Sequence, residues 1–595
     1  MISVRKVVLS GLAIALCSCA AAPVAPQRAA AGDYSAAIAE VTRLIAERMD
    51  EIDIAGLSIA LVDDQKVVWA QGFGMADRGK GIPSEPETLF MAGSVSKLFT
   101  STAVMQLHEK GKLDIDKPLL NYLPKFRIRT RFLDAGPVTI RQMLTHRSGL
   151  PTDHVKGEFS TSPAPLNTLL AEIAEDHAAF PPGYMWSYSN LAMSLLGLMV
   201  ASVSEKDFAE SVEQAILRPA GMADSSFVLS DAVKARLSKA YKDGAEKDEV
   251  PIRDTPAGGL YTNVLDLARF SSVVFAGGKS GDRRIIGSKT LEEMLKVQNE
   301  GAPLDFDLKM GLGWIRRPVR GLEHAGRVAW HNGATLCHRA SLVILPDHKL
   351  GAVVLANTAS AARAADEIAA AALRLMLEAR TGDAPPRQKE TESARAGFTK
   401  AALAGFEGRY ETAAGLATVR ARGGYLEIEL GGKTLRAYPK KDGTFRLEYR
   451  LLGLIPLGIA DLERMRMSFE TALGRDLIVG TRDGLRSLFG SRVKHREVPA
   501  AWAARAGAYG ILNKGDDAVF PDNVRLEVED GLLIIGFSIP AISKEPIKIS
   551  LDPISESEAI VQGLGRGKGE TLSVVTIEGQ DVLQYSGFRF ARAGE

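Results

Sequence analysis

The sequence predicts an α/β architecture, an α+β sandwich, followed by two small antiparallel β-barrel domains. Three observations lead to this fold class. Strand-like runs stand at both ends of a mostly helical stretch over residues 33–380, a pattern typical of sheet and helix layers packed together. A Pro-, Gly- and charge-rich segment over 381–400 is typical of a linker. Beyond it, short alternating strands and Gly turns continue to the C-terminus.

The composition is that of a globular protein and excludes several other classes. The 595 residues include 46% hydrophobic and 24% charged residues, which argues against a disordered chain, a collagen or a polytopic membrane protein. The length is that of about three domains. With 73 basic and 72 acidic residues the net charge is +1, so we expect no nucleic-acid partner. The oligomeric state is left open.

The N-terminus reads as an export signal. A basic start is followed by the apolar run Val7–Leu16, which is too short to be a permanent membrane span. Ser18 and Cys19 close this run, and the pattern resembles the bacterial lipobox, in which the cysteine is lipidated. The resemblance implies a periplasmic-side envelope lipoprotein that contacts the membrane only through this anchor. The open alternative is a secreted protein cut near Ala29 or Ala31.

Periodicity predicts the first secondary-structure elements. Apolar residues at helical spacing predict a helix over Tyr34–Met49, and two strand-like runs follow it. A long helix is predicted from Ser94 to Lys110, and an Ala-rich helix over Ala361–Arg380 is expected to lie on the sheet. The predicted segments are a lipoprotein-type signal peptide (1–19), a tether (20–32), the α/β domain (33–380), a linker (381–400) and two antiparallel β domains (401–498 and 499–595).

Two sequence patterns resemble ligand-binding motifs but lack features that such motifs need. His324, His331 and His338 are spaced by seven, but no Cys or carboxylate pair accompanies them, so we expect no metal site. No cofactor is predicted either. The segment Gly563–Gly569 looks like a phosphate loop, yet it precedes a strand and not a helix. A hairpin turn is the favoured interpretation.

Ser94 and Lys97 form the first candidate catalytic element. Three residues apart at the start of a predicted helix, they share one face. A Ser hydroxyl needs a neighbour that takes its proton, and a desolvated Lys can act as or assist that base. Alone, the Ser-x-x-Lys pattern is also compatible with a capped helix and a surface Lys.

Two further elements lie downstream. Tyr188 and Asn190 stand just before a predicted helix, where the phenol, its pKa lowered by a nearby Lys, could shuttle a proton. Asn190 could bind a substrate amide and hold Lys97. His331 and Gly333 precede a strand-like run, and Gly there would let a substrate backbone approach closely. Taken singly, Tyr188 and Asn190 are also compatible with an N-cap cluster, and a packed loop histidine is the favoured interpretation of His331.

Together, the ordered motifs Ser-x-x-Lys, Tyr-x-Asn and His-x-Gly resemble the serine β-lactamase and penicillin-binding-protein superfamily. The stretches Val138–Pro151 and Pro256–Leu267 strengthen the resemblance. It covers residues 35–380 and implies a β-lactamase/transpeptidase-like domain. By the resemblance, Ser94 is the nucleophile of an acyl-enzyme, and Lys97 and Tyr188 manage protons, with the acylation base left open. 

The resemblance assigns the remaining site residues too. His331 takes the third-motif position, and Asn190, Gly333 and Ala334 contact the substrate. Backbone N–H groups of Ser94 and Ala334 would form the oxyanion hole.

The third motif departs from the Lys-Thr-Gly that is usual in penicillin-binding enzymes. His-x-Gly and two appended β domains are similar to the D-aminopeptidase and esterase branch. We therefore expect a serine hydrolase that cleaves a small peptide, amide or ester. The alternatives are a true β-lactamase or D,D-carboxypeptidase, and a catalytically idle binding protein.

Overall fold

The computed structural model describes residues 32–382, 396–451, 455–457, 462 and 464–593. The predicted signal peptide, Cys19 and most of the predicted linker lie outside this part of the chain. The described strands, β1 to β29 in chain order, are Gly56–Asp63, Lys66–Asp77, Ile82–Pro83, Phe90–Met91, Ala240–Lys242, Ala245–Lys247, Tyr261–Thr262, Lys279–Ser280, Arg283–Arg284, Ala329–Ala334, Arg339–Leu345, Leu350–Ala356, Gly408–Thr412, Gly415–Arg422, Tyr425–Leu430, Lys433–Pro439, Phe445–Leu451, Ile455–Leu457, Met465–Ala472, Arg475–Arg482, Leu485–Arg492, Gly507–Ile511, Asp522–Glu529, Leu532–Ile539, Ser543–Pro553, Glu558–Val561, Thr571–Ile577, Gln580–Tyr585 and Phe588–Arg592. The described α-helices, α1 to α14, are Ser35–Ile52, Ser96–Glu109, Ile140–Leu144, Leu169–Glu172, Asn190–Ser204, Phe208–Val212, Arg218–Ala220, Asp231–Arg236, Thr255–Gly258, Val264–Phe275, Ser288–Leu295, Ala362–Thr381, Lys400–Leu403 and Ala500–Ala504.

A six-stranded antiparallel sheet forms the centre of the first domain. Its order is β10-β11-β12-β1-β2-β3, so strands from both ends of this region meet side by side. In β1, Leu57, Ile59 and Leu61 face one core, with α1 and α12, while Ala60 and Val62 face the other. Because successive side chains alternate between faces, this strand is apolar along its whole length. The sheet is therefore the middle layer of a three-layer domain.

The helical layer on the second face contains α2. It begins one residue after a 3-10 turn at Gly93–Val95, where the sequence predicted one continuous helix from Ser94. Nearly all positions of α2 are buried, including Lys97 and Thr100. A helix enclosed on all sides is fixed in place by its surroundings. It therefore holds the side chains of its first turn firmly.

Two closed β-barrels follow, as the sequence predicted. In the first barrel β16-β15-β14-β13-β21-β20-β19-β17 form a ring that the β16–β17 pairing closes. The second barrel contains β22 to β29. Each opens with a Tyr whose hydroxyl bonds a carbonyl four residues earlier: Tyr410 to Phe406 and Tyr509 to Arg505. The two barrels therefore share the same local contact at their first strand.

Both barrels pack against the first domain. A single apolar cluster joins Phe180 and Leu304 to Leu477 and Val479 of the first barrel and to Leu564 of the second barrel. Among the described residues, no helix is both long and apolar enough to cross a membrane.

Candidate active site

Ser94 lies in the 3-10 turn between β4 and α2. This turn has little room, because Gly93 has φ of 50° and a Cβ there would lie 2.6 Å from the Ala334 nitrogen. The residue at 93 must therefore be Gly for the turn to rest on strand β10. Ser94 itself is half-buried in this turn.

Lys97 points from the first turn of α2 toward the nucleophile. Its Nζ donates to Ser94 Oγ at 3.0 Å and to the Ala257 carbonyl oxygen at 2.6 Å. The side chain is fully buried. Burial, with a smaller contribution from the positive charge of Arg566, lowers its pKa to about 7. Lys97 can therefore be neutral near physiological pH, as a proton acceptor must be.

Tyr188 completes the polar contacts of the nucleophile. Its hydroxyl donates to Ser94 Oγ at 2.8 Å. The expectation of a lowered pKa is wrong, because desolvation raises the pKa of this phenol. The adjacent Ser189 caps α5 by accepting from the Ala192 N–H. Tyr188 is thus a neutral donor held next to the N-cap of α5, as the N-cap interpretation of this motif expected.

Asn190 does not hold Lys97. Its Nδ2 donates instead to Asp153 Oδ1 at 2.7 Å, and the Ala257 carbonyl takes the expected place beside Lys97. Asn190 is the first residue of α5, so its side chain leaves the helix toward the 151–153 segment. The predicted contact fails because α9, which packs on α2, places the Ala257 carbonyl beside Lys97, while Asp153 accepts from the Asn190 amide.

His331 lies on edge strand β10, with its ring centroid 6.5 Å from that of Tyr188. Burial lowers its pKa to about 3, so the ring is neutral. Nδ1 lies 2.6 Å from the Asn332 carbonyl oxygen, which can only accept, so the proton is assigned to Nδ1. Nε2 is then an acceptor, and it is buried without a partner. An unpaired buried acceptor beside a nucleophile is available to a ligand.

Gly333 and Ala334 bring β10 against the nucleophile turn. A Cβ on Gly333 would overlap the Ala92 carbonyl oxygen and lie 3.0 Å from the Ser94 nitrogen. The Ser94 and Ala334 amides therefore lie on adjoining segments, and Ala334 is exposed. This arrangement suits two N–H donors aimed at one carbonyl oxygen.

The sequence interpretation missed His146 as a site residue. Its buried ring lies on that of Tyr188, with centroids 4.2 Å apart, and its Nδ1 accepts from the Ser189 N–H. Its φ of 54° is unusual for a non-glycine residue. The available signal was its position within the Val138–Pro151 stretch. The Ala257 carbonyl was likewise hidden, since a backbone oxygen leaves no mark in a sequence.

A second residue that sequence reasoning missed comes from the second barrel. Arg566 lies in the predicted turn between β26 and β27, with its guanidinium carbon 5.2 Å from the Tyr188 ring centroid. The Gly-rich segment is a turn between strands, as expected. Its sequence gave no sign that the turn reaches this site.

The described ranges contain no group of three or more His, Cys, Asp or Glu side chains that could hold a metal. His338 is bonded to the Met91 N–H, while His331 faces the candidate site. The spacing of the histidines by seven therefore reflects separate packing positions.

Fold and site together define a β-lactamase/transpeptidase-like protein. The sequence profile described as Beta-lactamase matches residues 41–376, more than half of the chain. The chain belongs to the beta-lactamase family. The comparisons support a serine hydrolase fold of this family.

Individual relatives are distant. The human protein described as "Putative beta-lactamase-like 1" is 28% identical over 373 residues, covering 59% of this chain and 72% of that protein. "Putative penicillin-binding protein PbpX" of Bacillus subtilis is 29% identical over 255 residues. That match spans 42% of this chain and 61% of PbpX, less than two thirds of its length.

A solved structure shares the fold over a larger part of the chain. The octameric penicillin-binding protein homologue from Pyrococcus abyssi aligns with a TM-score of 0.52 at 23% identity. The alignment covers 76% of this chain and 99% of that one. None of these relatives tests the resemblance to the D-aminopeptidase branch, which stays a prediction.

Proposed function

We propose that this chain is a serine hydrolase that cleaves a small peptide, amide or ester bond through an acyl-enzyme on Ser94. One observation carries the proposal: Ser94 Oγ lies between Lys97 Nζ at 3.0 Å and the Tyr188 hydroxyl at 2.8 Å. A nucleophile needs a base within hydrogen-bond reach, and here the base candidate is desolvated.

The burial of the two proton-handling groups assigns them different roles. Lys97, with its lowered pKa, takes the Ser94 proton as the Oγ–carbon bond forms. Tyr188, with its raised pKa, stays a phenol and donates its hydrogen bond to Oγ. The proton then passes to the leaving amine or alkoxide as its bond to the carbonyl carbon breaks. Water hydrolyses the resulting ester by the reverse sequence of proton transfers.

The neutral third motif favours peptide or ester substrates over penicillins. A penicillin carboxylate suits a permanent cation at that position, and burial keeps His331 uncharged. The unpartnered Nε2 instead offers an acceptor to a substrate N–H or to water. We place the enzyme at the periplasmic side of a bacterial envelope, anchored through Cys19, with a small-molecule substrate and neither metal nor cofactor.

The test is covalent labelling with a fluorophosphonate probe followed by peptide mass spectrometry. The wild type should carry the adduct on Ser94, and Ser94→Ala should carry none. Ser360→Ala, which alters an exposed Ser of the same domain, is the matched control and should label normally. Equal labelling of wild type and Ser94→Ala would contradict the mechanism.

A substrate panel distinguishes the activities. p-Nitrophenyl esters and D-amino-acid peptides and amides should be turned over faster than nitrocefin. Nitrocefin as the best substrate would favour a β-lactamase, and D-Ala-D-Ala-terminated peptides as the best substrate would favour a D,D-carboxypeptidase. Binding across the panel without turnover would favour an idle binding protein.

A further inference from the structure

The Gly563–Gly569 loop of the second barrel is docked beside the candidate nucleophile. Its four glycines, at alternate positions, all have positive φ, so the loop follows a path that other residues rarely adopt. Gly567 N–H donates to Thr152 Oγ1 at 2.8 Å, and Thr152 N–H donates to Glu570 Oε1 at 3.0 Å. Reciprocal bonds thus fix both sides of the contact with the first domain.

Arg566 projects from this loop into the cleft. Its guanidinium carbon lies 5.2 Å from the Tyr188 ring centroid, and its Nη2 lies 3.5 Å from Asp153 Oδ2. The side chain is 57% exposed, so a ligand can reach it. A guanidinium has five N–H donors and binds carboxylates in a bidentate manner, so one weak ion pair leaves donors free.

The first barrel fixes the same loop through a buried ion pair. Lys568 Nζ lies 2.7 Å from Glu411 Oε1, and both side chains are buried. The other Glu411 oxygen accepts from the Ser550 N–H and hydroxyl at 2.9 and 2.7 Å. Glu411 also lies against Gly563, where a Cβ would come within 2.9 Å of its side chain. One carboxylate on β13 therefore touches the loop near both of its ends.

This arrangement bears on substrate choice, because the third motif lacks a cation. His331 is neutral in the folded protein, whereas a guanidinium stays charged at any working pH. Arg566 therefore brings a permanent positive charge to the face of Tyr188, and it does so from a barrel far along the chain.

We propose that Arg566 binds an anionic group of the substrate and that Glu411, acting through Lys568, is a positioning residue for the loop that carries it. The substrate class is then a small carboxylate-bearing peptide or ester. The inference rests on the proposed hydrolase function and deepens it. Through Glu411, the first barrel would help to position a loop of the active site.

The test uses pairs of esters matched in size. Mono-4-nitrophenyl adipate is compared with 4-nitrophenyl hexanoate, and 3-carboxy-4-nitrophenyl acetate with 4-nitrophenyl acetate. The pairs place the carboxylate on the acyl side and on the leaving-group side. The full chain should prefer the anionic member of at least one pair by about tenfold in kcat/KM, the size of effect a single charged hydrogen bond supports.

Substitutions test whether Arg566 is the source of the preference for the anionic ester. Arg566→Gln should abolish it, mainly by raising KM for the anionic ester, and Arg566→Lys should keep part of it. Arg525→Gln is the matched control, since Arg525 is a similarly exposed side chain elsewhere on the second barrel and should leave the preference intact.

The positioning role has its own readout. Glu411→Gln should reduce the preference in the wild-type background and have no further effect on it in Arg566→Gln. The double variant Glu411→Lys with Lys568→Glu, which reverses the ion pair, should restore part of the preference that Glu411→Gln loses. A residue that only stabilises the barrels would lower all rates equally. Because unpairing a buried ion is costly, folding of each variant is checked by thermal unfolding.

The outcomes separate the two proposals. If esters are hydrolysed in a Ser94-dependent way but Arg566→Gln leaves the anionic preference unchanged, the inference is wrong and the hydrolase function stands. A wild type that favours the neutral esters overturns it equally. If none of the four esters is hydrolysed and Ser94 does not label, the proposed function fails and the inference with it.

Discussion

The lowered pKa of Lys97 predicts the pH dependence of acylation. Burial moves it from about 10.5 to about 7, a difference of about 5 kcal/mol between the two protonation states. At pH 7 about half of the Lys97 side chains are then neutral, against about 0.03% for a solvated lysine. In the proposed mechanism the neutral amine accepts the Ser94 proton, so the shift raises the reactive fraction roughly a thousandfold at neutral pH.

The assay is the rate constant for fluorophosphonate labelling of Ser94 between pH 5 and 9.5. The rate should rise with pH through a midpoint near 7, as Lys97 loses its proton, and then level off. Lys97→Met should lose this rise together with most of the rate. His331→Gln should be slower but keep the midpoint, because the pKa of His331 lies near 3 and that ring does not titrate in this range.

Either of two results would refute the reasoning. If Ser94 labels but the midpoint lies above pH 9, Lys97 is not desolvated in the working enzyme. A midpoint that moves with His331→Gln and persists in Lys97→Met would assign the base to His331 instead.

Four further predictions concern Lys97, Tyr188, Gly333 and Cys19. Lys97→Met should raise the melting temperature at pH 7, because the folded pKa lies below the unfolded value; the gain should shrink as pH rises toward 10, as thermal unfolding at several pH values would show. Tyr188→Phe removes the donor to Ser94 Oγ and should slow labelling by about 10²-fold without loss of fold by circular dichroism. Gly333→Ala should abolish labelling, since its Cβ would overlap the Ala92 carbonyl, while Gly510→Ala, where a Cβ meets open space, should label normally. Cys19→Ser should remove lipid from the N-terminal peptide in mass spectrometry, and lipid on that variant would contradict the anchor.

Local chemistry made much of the fold predictable. The three-residue spacing of Ser94 and Lys97 brings their side chains to one side of the 3-10 turn and the first turn of α2, and Ser189 beside Tyr188 has the side chain of an N-cap. The alternating strands beyond the linker predicted barrels because strand period and turn residues are set within a few positions. The hydrogen-bond partners of polar side chains such as Asn190 could not be predicted, because packing between distant segments determines them.

What the sequence by itself determined is the order of motifs, their helices and strands, and the choice of Ser94 and Lys97. Only the tertiary structure decided their charges and neighbours. Burial lowers the pKa of Lys97 to about 7, raises that of Tyr188 and lowers that of His331 to about 3. It also brings Arg566 of the second barrel to Tyr188 through a loop that Glu411 of the first barrel fixes. Desolvation and contacts between distant segments arise only once the chain has packed. The spacing of residues along the chain therefore does not reveal them.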